Sequence, residues 1–555
     1  MIEGAVMIPR RTFLKTAALG AAAYVSESHR ILAGMAHNGY THFTVHPFIE
    51  RHPEAVFIMR TNVDLKTNRE ANREAGVDFA RSVFVPSDES GLSLSRRIAI
   101  KPNITGGGGN TVESMGIITD PFFVEGVVDG MKPLGFTADR FSVREVNSKS
   151  WEGHVYMSMA QHAGIDFRAM NGRAKGVIKE KMSGWTQTDE ILGDDDTVWR
   201  EIPDGIVHRQ LPYLWPINAR DSLLLNISKF KTHSMGLTLS CKNLQGSVAN
   251  GFQNFCGGFD RIGIMPPKNV NPEFRRLLDD SLKRHAAMGI PRWDGTECPM
   301  KEIISQEVWA ARTLDNLSAT DCGLHIVEGI YGHDGHFSSG PNPHGNENNP
   351  RGKAWDYMSN ILIFGKDPFR VDIIGHWLGG HEPGNFGFFH IAKERGMSTV
   401  LNPSNIPVYL WNNGRADLNP LAYFERTPLK TNYLQKTKGN NPEPVWHMCD
   451  EHFDYSGVDD EKPPEYEKPG IDILTTVSPS REYPMVALEY RLAEDGPARI
   501  EVSNENNETC EVIVNALRDR GAWLASWSAG GYAAGRYRIT FRTTGFSDEK
   551  VIDIV

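Results

Sequence analysis

Short apolar runs alternate with amphipathic stretches along most of this chain. Residues 55–59 form a compact apolar run that reads as a strand, and residues 68–83 read as a helix. A second strand, Ile98-Ala99-Ile100, runs into Lys101-Pro102-Asn103. Thr119-Asp120-Pro121 then opens a helix, with a capping side chain followed by proline in the first turn. Phe123, Val127, Met131 and Leu134 supply its apolar face, and Gly135 stops it. Leu223, Leu224 and Leu225 begin another buried strand, which turns polar within a few positions. There Lys229, Lys231 and His233 alternate with Phe230 and Thr232. If the chain stays extended, the period of two puts both lysines and the histidine on one side.

Further on, the pattern predicts helices over 272–288 and 302–317 and strands over 323–327 and 361–364. A last helix starts at Pro368 with Asp367 as its cap; Val371, Ile374 and Leu378 face the core, and Gly379-Gly380 ends it. This alternation predicts an α/β domain with a mostly parallel or mixed sheet over residues 37–426. Residues 427–483 shift to Pro, Glu, Lys and Asn and read as a linker. Strands at 486–492, 498–503 and 535–543, with Gly530-Gly531 and Gly535 at turns, predict a small all-β sandwich over 484–555.

Near the N-terminus, Arg10-Arg11-Thr12-Phe13-Leu14-Lys15 precedes an Ala- and Gly-rich run. The pattern closely resembles a twin-arginine signal peptide, assigned here to residues 1–36; the alternative is a chance arginine pair before a core helix. On the first reading the mature protein is periplasmic or extracellular, and the twin-arginine export machinery is one partner. That machinery carries folded, commonly cofactor-loaded proteins into a compartment where disulfides are permitted.

At 555 residues, with 40% hydrophobic and 23% charged positions, the chain is long enough for several domains and a large core. Its net charge of −10 and lack of a basic run argue against a nucleic-acid partner. Beyond the N-terminus no apolar run approaches the roughly 18–20 residues that span a bilayer, so no transmembrane anchor is expected after signal cleavage. The six cysteines contain no C-x-x-C, so the sequence offers no zinc knuckle and no iron–sulfur motif.

The candidate chemistry sits at strand ends. Lys101 with the glycines 106–109 reads either as an anion cradle or as a flexible loop; no G-K-[ST] follows, so it is not a Walker loop. Lys242-Asn243 is a second polar pair beyond Lys229, Lys231 and His233. The loop 330–349 carries His333, Asp334, His336 and His344 among glycines, which suits either a metal or a polar active-site loop without one.

Together these blocks resemble the family catalogued as domain of unknown function 362. The resemblance is carried by Lys101-Pro102-Asn103, Thr119-Asp120-Pro121, Lys229-Phe230-Lys231-Thr232-His233 and Lys242-Asn243-Leu244-Gln245-Gly246. It continues through Ile326-Val327-Glu328-Gly329 and Gly365-Lys366-Asp367-Pro368 with Asp372. Glu328 stands where the resemblance leads one to expect aspartate. The likeness implies an α/β domain and supplies no established reaction. Some members carry ferredoxin segments, which implies redox or cofactor chemistry; this sequence has none and would need a partner for electron transfer. The C-terminal stretch resembles an immunoglobulin-like module of the flagellar-hook-capping type, which implies attachment to the envelope or plain stabilisation.

The expectation is therefore an exported protein with a Lys/His-lined crevice for a small anionic substrate or cofactor. Lys101, Asn103, Lys242 and Asn243 would hold the anion, while His233 and Lys231 would do the chemistry. His333, Asp334, His336 and Glu328 form the candidate metal set of a second wall. A redox or metal-assisted enzyme and a non-catalytic envelope binding protein both fit these residues, as does a structural surface protein whose lysines are merely solvated.

Overall fold

The structure, a computed structural model, describes residues 41–87, 89–104, 109–146, 153–169, 172–182, 188–233, 236–252, 264–291, 300–334, 355–429, 452–474 and 485–554. Residues 1–40, which hold the signal-like segment, lie outside that set, as do glycines 106–108 and the loop 335–354 with His336 and His344.

A mixed sheet of 13 strands runs through the molecule. Its α/β part contains β1 (Val56–Arg60), β2 (Arg97–Pro102), β3 (Phe141–Glu145), β4 (Asp166–Ala169) and β5 (Ser222–His233). It continues with β6 (Leu324–Asp334), β7 (Trp355–Gly365), β8 (Val408–Asn412) and β9 (Arg415–Leu418). Their spatial order is β9-β8-β1-β7-β6-β5-β2-β3-β4. The run from β6 to β4 is parallel throughout, whereas β7 is antiparallel to both β6 and β1. Strands buried on both faces explain the continuous apolar runs in the sequence. β5 stays extended as far as His233, so Lys229 and Lys231 fall on one side of it.

Helices cover both faces. On one, α1 (Arg69–Val83), α2 (Pro121–Met131) and α3 (Val155–Ala163) bury Phe79, Phe123, Val127 and Tyr156 against Ile100, Val143, Leu225 and Ile227. The helices α1 and α2 cross with their backbones in contact, because a methyl on Gly126 would stand 2.0 Å from the Arg73 carbonyl oxygen. On the other face lie α4 (Ser240–Asn243), α5 (Phe274–Ala287), α6 (Met300–Ala319), α7 (Pro368–Leu378) and α8 (Gly387–Glu394), burying Val308, Leu314, Val371 and Phe389. Among the described residues no helix is long and apolar enough to cross a membrane. Cys241, Cys322 and Cys510 are free thiols.

The C-terminal strands are β10 (Gly470–Ile473), β11 (Met485–Leu492), β12 (Gly496–Ser503), β13 (Thr509–Arg518), β14 (Gly521–Ser528), β15 (Gly535–Thr543) and β16 (Phe546–Ile554). β12, β13, β15 and β16 form a separate antiparallel four-stranded sheet in the order β13-β12-β15-β16. It packs on β10, β11 and β14 through Val486, Leu488, Ile500, Trp527, Ile539 and Phe541. Those three strands belong to the large sheet, which β14 joins at Ala416–Leu524. β10 lies within the stretch whose composition reads as a linker.

Candidate functional site

The chain reverses its winding between β2 and β5. From β2 it passes through α2 to β3 and through α3 to β4, stepping away to one side; β5 and β6 lie on the other side of β2. In open α/β sheets such a switch point leaves a crevice outside the carboxyl ends of the strands. Those ends carry Lys101 on β2, Glu145 on β3, Lys229 and Lys231 on β5, and Glu328 on β6, all buried.

Two of the lysines face carboxylates. Lys101 Nζ lies 2.8 Å from Glu145 Oε2 and also donates to the Pro102 carbonyl and to Asn243 Oδ1. Glu145 Oε2 additionally accepts from the Ile104 N–H at 3.1 Å. Burial draws Lys101 down and Glu145 up in pKa, and their mutual contact opposes both shifts. Lys229 Nζ sits 2.8 and 3.0 Å from the two oxygens of Glu328 and 3.7 Å from the centre of the Tyr331 ring. Glu328 also accepts from the N–H groups of Asp120 and Ile330, both at 3.0 Å. Those four acceptances use the carboxylate's lone pairs. Asp120 caps α2 through the Phe122 and Phe123 N–H groups and accepts from the Tyr331 hydroxyl at 2.6 Å.

Lys231 Nζ donates to the backbone carbonyl of Ile117. Burial lowers its pKa well below that of an ordinary lysine, and the charges of Lys242, Lys229 and Lys101 push the same way against Glu145. Lys242, half-buried on α4, also acts on Lys101. The three lysines singled out in the sequence thus meet in one neighbourhood.

The K-N-x-x-G block is held there by groups on both sides. Asn243 Nδ2 donates to the Lys101 carbonyl at 3.0 Å and to Asn226 Oδ1 at 2.8 Å, while its Oδ1 accepts from Asn103 Nδ2 at 3.2 Å. Asn243 is thus bonded to Lys101 directly, and Asn103 to Asn243. Asp372 on α7 accepts from the Ser240 and Cys241 N–H groups at 2.7 and 2.9 Å and fixes α4. Gly246 leaves no room for a side chain: a methyl there would stand 2.1 Å from Glu145 Oε1.

Asp372 gives a pH test. Burial pushes its carboxyl from 3.8 up to about 7. The native state therefore holds a proton that the unfolded chain has released between those values. Its contribution to stability is full below pH 3.8 and is lost as pH rises through about 7. The difference in Tm between wild type and Asp372→Asn should accordingly shrink from acid to neutral pH; a flat difference in thermal melts would contradict this.

On the second wall, His333 pairs in register with Lys231 across β5 and β6. Its Nδ1 lies 2.7 Å from Asp356 Oδ1, and Asp356 Oδ2 is 2.5 Å from Lys66 Nζ. Burial raises the Asp356 carboxyl, but hydrogen bonds and charge from His333 and Lys66 bring it below its usual value. Asp334 is buried at the end of β6. Among the described residues no three His, Cys, Asp or Glu side chains come together to hold a metal. His233 ends β5, and its side chain lies outside the description.

Residues 98–376 match the family described as Domain of unknown function (DUF362). The chain belongs to it. The DUF362 span is half the chain and includes every residue of the two lysine–carboxylate pairs, as well as Lys231, Lys242 and Asp372. No curated protein matches the chain. Glu145, Tyr331, Asp356 and Asn226 complete the site although the sequence reading did not single them out as site residues. Glu145 had a usable signal, since it closes the run Phe141–Glu145 much as Lys101 follows Ile98-Ala99-Ile100.

Proposed function

We propose that this DUF362 protein is an exported enzyme that takes a small anionic substrate or cofactor into the crevice between β2 and β5. The observation that carries the reading is the meeting of Lys101, Lys231 and Lys242 at the switch point of the sheet. Lys242, the most exposed of them, receives the anion, and Lys101 sets the local field from below. His233, at the last position of β5, is the proposed general acid/base. Residues 1–36 serve as the twin-arginine signal, and the C-terminal sandwich serves as an immunoglobulin-like attachment module.

Calorimetric titration of the full chain with inorganic phosphate and with small dicarboxylates tests the crevice. Lys242→Met should weaken binding by about tenfold or more, the scale of a lost charge-assisted hydrogen bond. Equal binding by wild type and variant would remove the crevice from the reading. Native mass spectrometry on protein purified through its export route separates enzyme from binder: a small acid captured and released unaltered favours the binder.

A further inference from the structure

We propose that the crevice at the seam between the α/β body and the C-terminal strands is a second binding site, one that takes the primary ammonium of a small aliphatic amine. It stands independently of the anion crevice.

Its position follows from strand direction. Val408 opens β8, and Glu54 lies just before β1. Both strands run parallel to β2, β5 and β6, so their amino ends lie on the edge of the sheet opposite Lys101 and Lys231. There the ends of β9 and β14 and the segment before β10 enclose about 560 Å³. Small-molecule sites span roughly 300–1,000 Å³.

The segment before β10 is tied at both ends. Asp460 accepts from the Leu401 and Asn402 N–H groups at 2.9 and 2.6 Å, and Glu461 pairs with Arg370 at 2.8 Å. Gly470 then opens β10 against β11. Between these ties Pro463 and Pro464 stiffen the chain, and Tyr466 lines the crevice. This wall is built before a ligand arrives, which lowers the cost of binding.

Three oxygen acceptors meet there. Tyr409 is 3% exposed and lines the crevice, while its ring packs against Phe48 and Phe57. Among the described residues neither the Tyr409 nor the Tyr466 hydroxyl has a hydrogen-bond partner. Glu54 gives Oε1 to His52 Nδ1 at 3.0 Å, and its other oxygen has no partner among the described residues. The three groups feel one another. Burial first, then Tyr466 and Glu54, raise the Tyr409 hydroxyl well above its ordinary value. Burial and then Glu54 bring Tyr466 up to about 12, so both phenols stay neutral and keep lone pairs for a donor.

An ammonium carries three N–H donors and no acceptor, which matches two phenol oxygens and one carboxylate oxygen. Around the crevice the carboxylates of Glu54, Glu465 and Asp519 outnumber the cations Lys462 and Arg520. Glu465 and Arg520 face each other at 3.8 Å. That balance favours a cation over an anion. Pro407, Leu418 and Pro420 offer the alkyl chain an apolar side.

Ligand-observed NMR titration of the full chain with butylamine tests the assignment. Butylamine should bind, 1-butanol should not compete with it, and inorganic phosphate should leave it in place. Tyr409→Phe and Glu54→Gln should each weaken binding about tenfold, the scale of one lost hydrogen bond to a charged group. Tyr409→Phe removes only a hydroxyl, so its Tm should match that of the wild type and misfolding cannot account for its loss. Equal binding by wild type and Tyr409→Phe, or displacement by phosphate, overturns the site. Uptake of 1-butanol or glucose equal to that of butylamine shows that a neutral hydroxyl is read and overturns the ammonium. Absence of butylamine binding overturns the proposal as a whole.

Discussion

Glu328→Gln is expected to destabilise the protein by about 3–5 kcal/mol, the penalty for stranding a buried charge by removing its partner. Lys229 would lose its counter-charge at a site where both partners are fully buried. The Tyr331 ring, 3.7 Å away, softens that loss without replacing the carboxylate. Glutamine would also present an N–H₂ toward one of the two backbone N–H groups, of Asp120 and Ile330, that the carboxylate now accepts. A control separates charge from shape. The double variant Lys229→Met with Glu328→Gln should recover much of the stability, because no uncompensated charge remains. Urea denaturation of the wild type and the two variants measures this. A single-variant loss below about 1 kcal/mol would show that the pair behaves like a surface one.

Gly246→Ala should produce the next largest effect, and it should appear in both stability and binding. The added methyl would lie 2.1 Å from Glu145 Oε1 and 2.9 Å from both Cε and Nζ of Lys101. Either the carboxylate leaves the lysine or the segment that joins Gly246 to α4 and Lys242 lifts away. Overpacking of this kind costs about 1–3 kcal/mol. Either movement disturbs the placement of Lys101 against Lys242, so phosphate affinity in the calorimetric titration should fall to the level of Lys242→Met. Unchanged affinity would mean that the pair and the anion site are independent.

How much of this was legible in the residues differs from place to place. The α/β elements were readable because each carries a local signal. Residues 68–83 show a helical period, and the helix observed is Arg69–Val83. Asp120-Pro121 and Asp367-Pro368 each pair a cap with a first-turn proline, and helices start at Pro121 and Pro368. The C-terminal strands were only partly readable. The inner face of Phe546–Ile554 interrupts Phe546, Ile552 and Ile554 with Asp548 and Lys550, so the alternation is blurred and its pairing with Gly535–Thr543 carries the strand. Thr509–Arg518 is an edge strand whose outward residues include Val512 and Leu517, which blurs the pattern.

The lysines of the site were visible as a period-two cluster after an apolar run. Their compensation was not. Lys101 and Glu145 are separated by a whole helix in sequence, and Lys229 and Glu328 by three helices. No local pattern pairs them; only the strand order does. Glu328, weighed as a metal ligand from its place beside the histidine-rich loop, is occupied by Lys229 and two backbone donors. His333 from the same set is turned toward Asp356, a residue that no local pattern ties to it.

The single bridge between Ala416 and Leu524 has a bearing on how the protein can be dissected. A cut at the compositional boundary near residue 483 would remove the β14 bridge from one edge of β9, which keeps its pairing with β8, and the β11 partner from β10, leaving those edges bare. Bare strand edges invite association between copies. The two parts are thus continuous at the level of hydrogen bonding, and a fragment prepared for crystallisation or for antibody work is better bounded elsewhere than between the body and its sandwich.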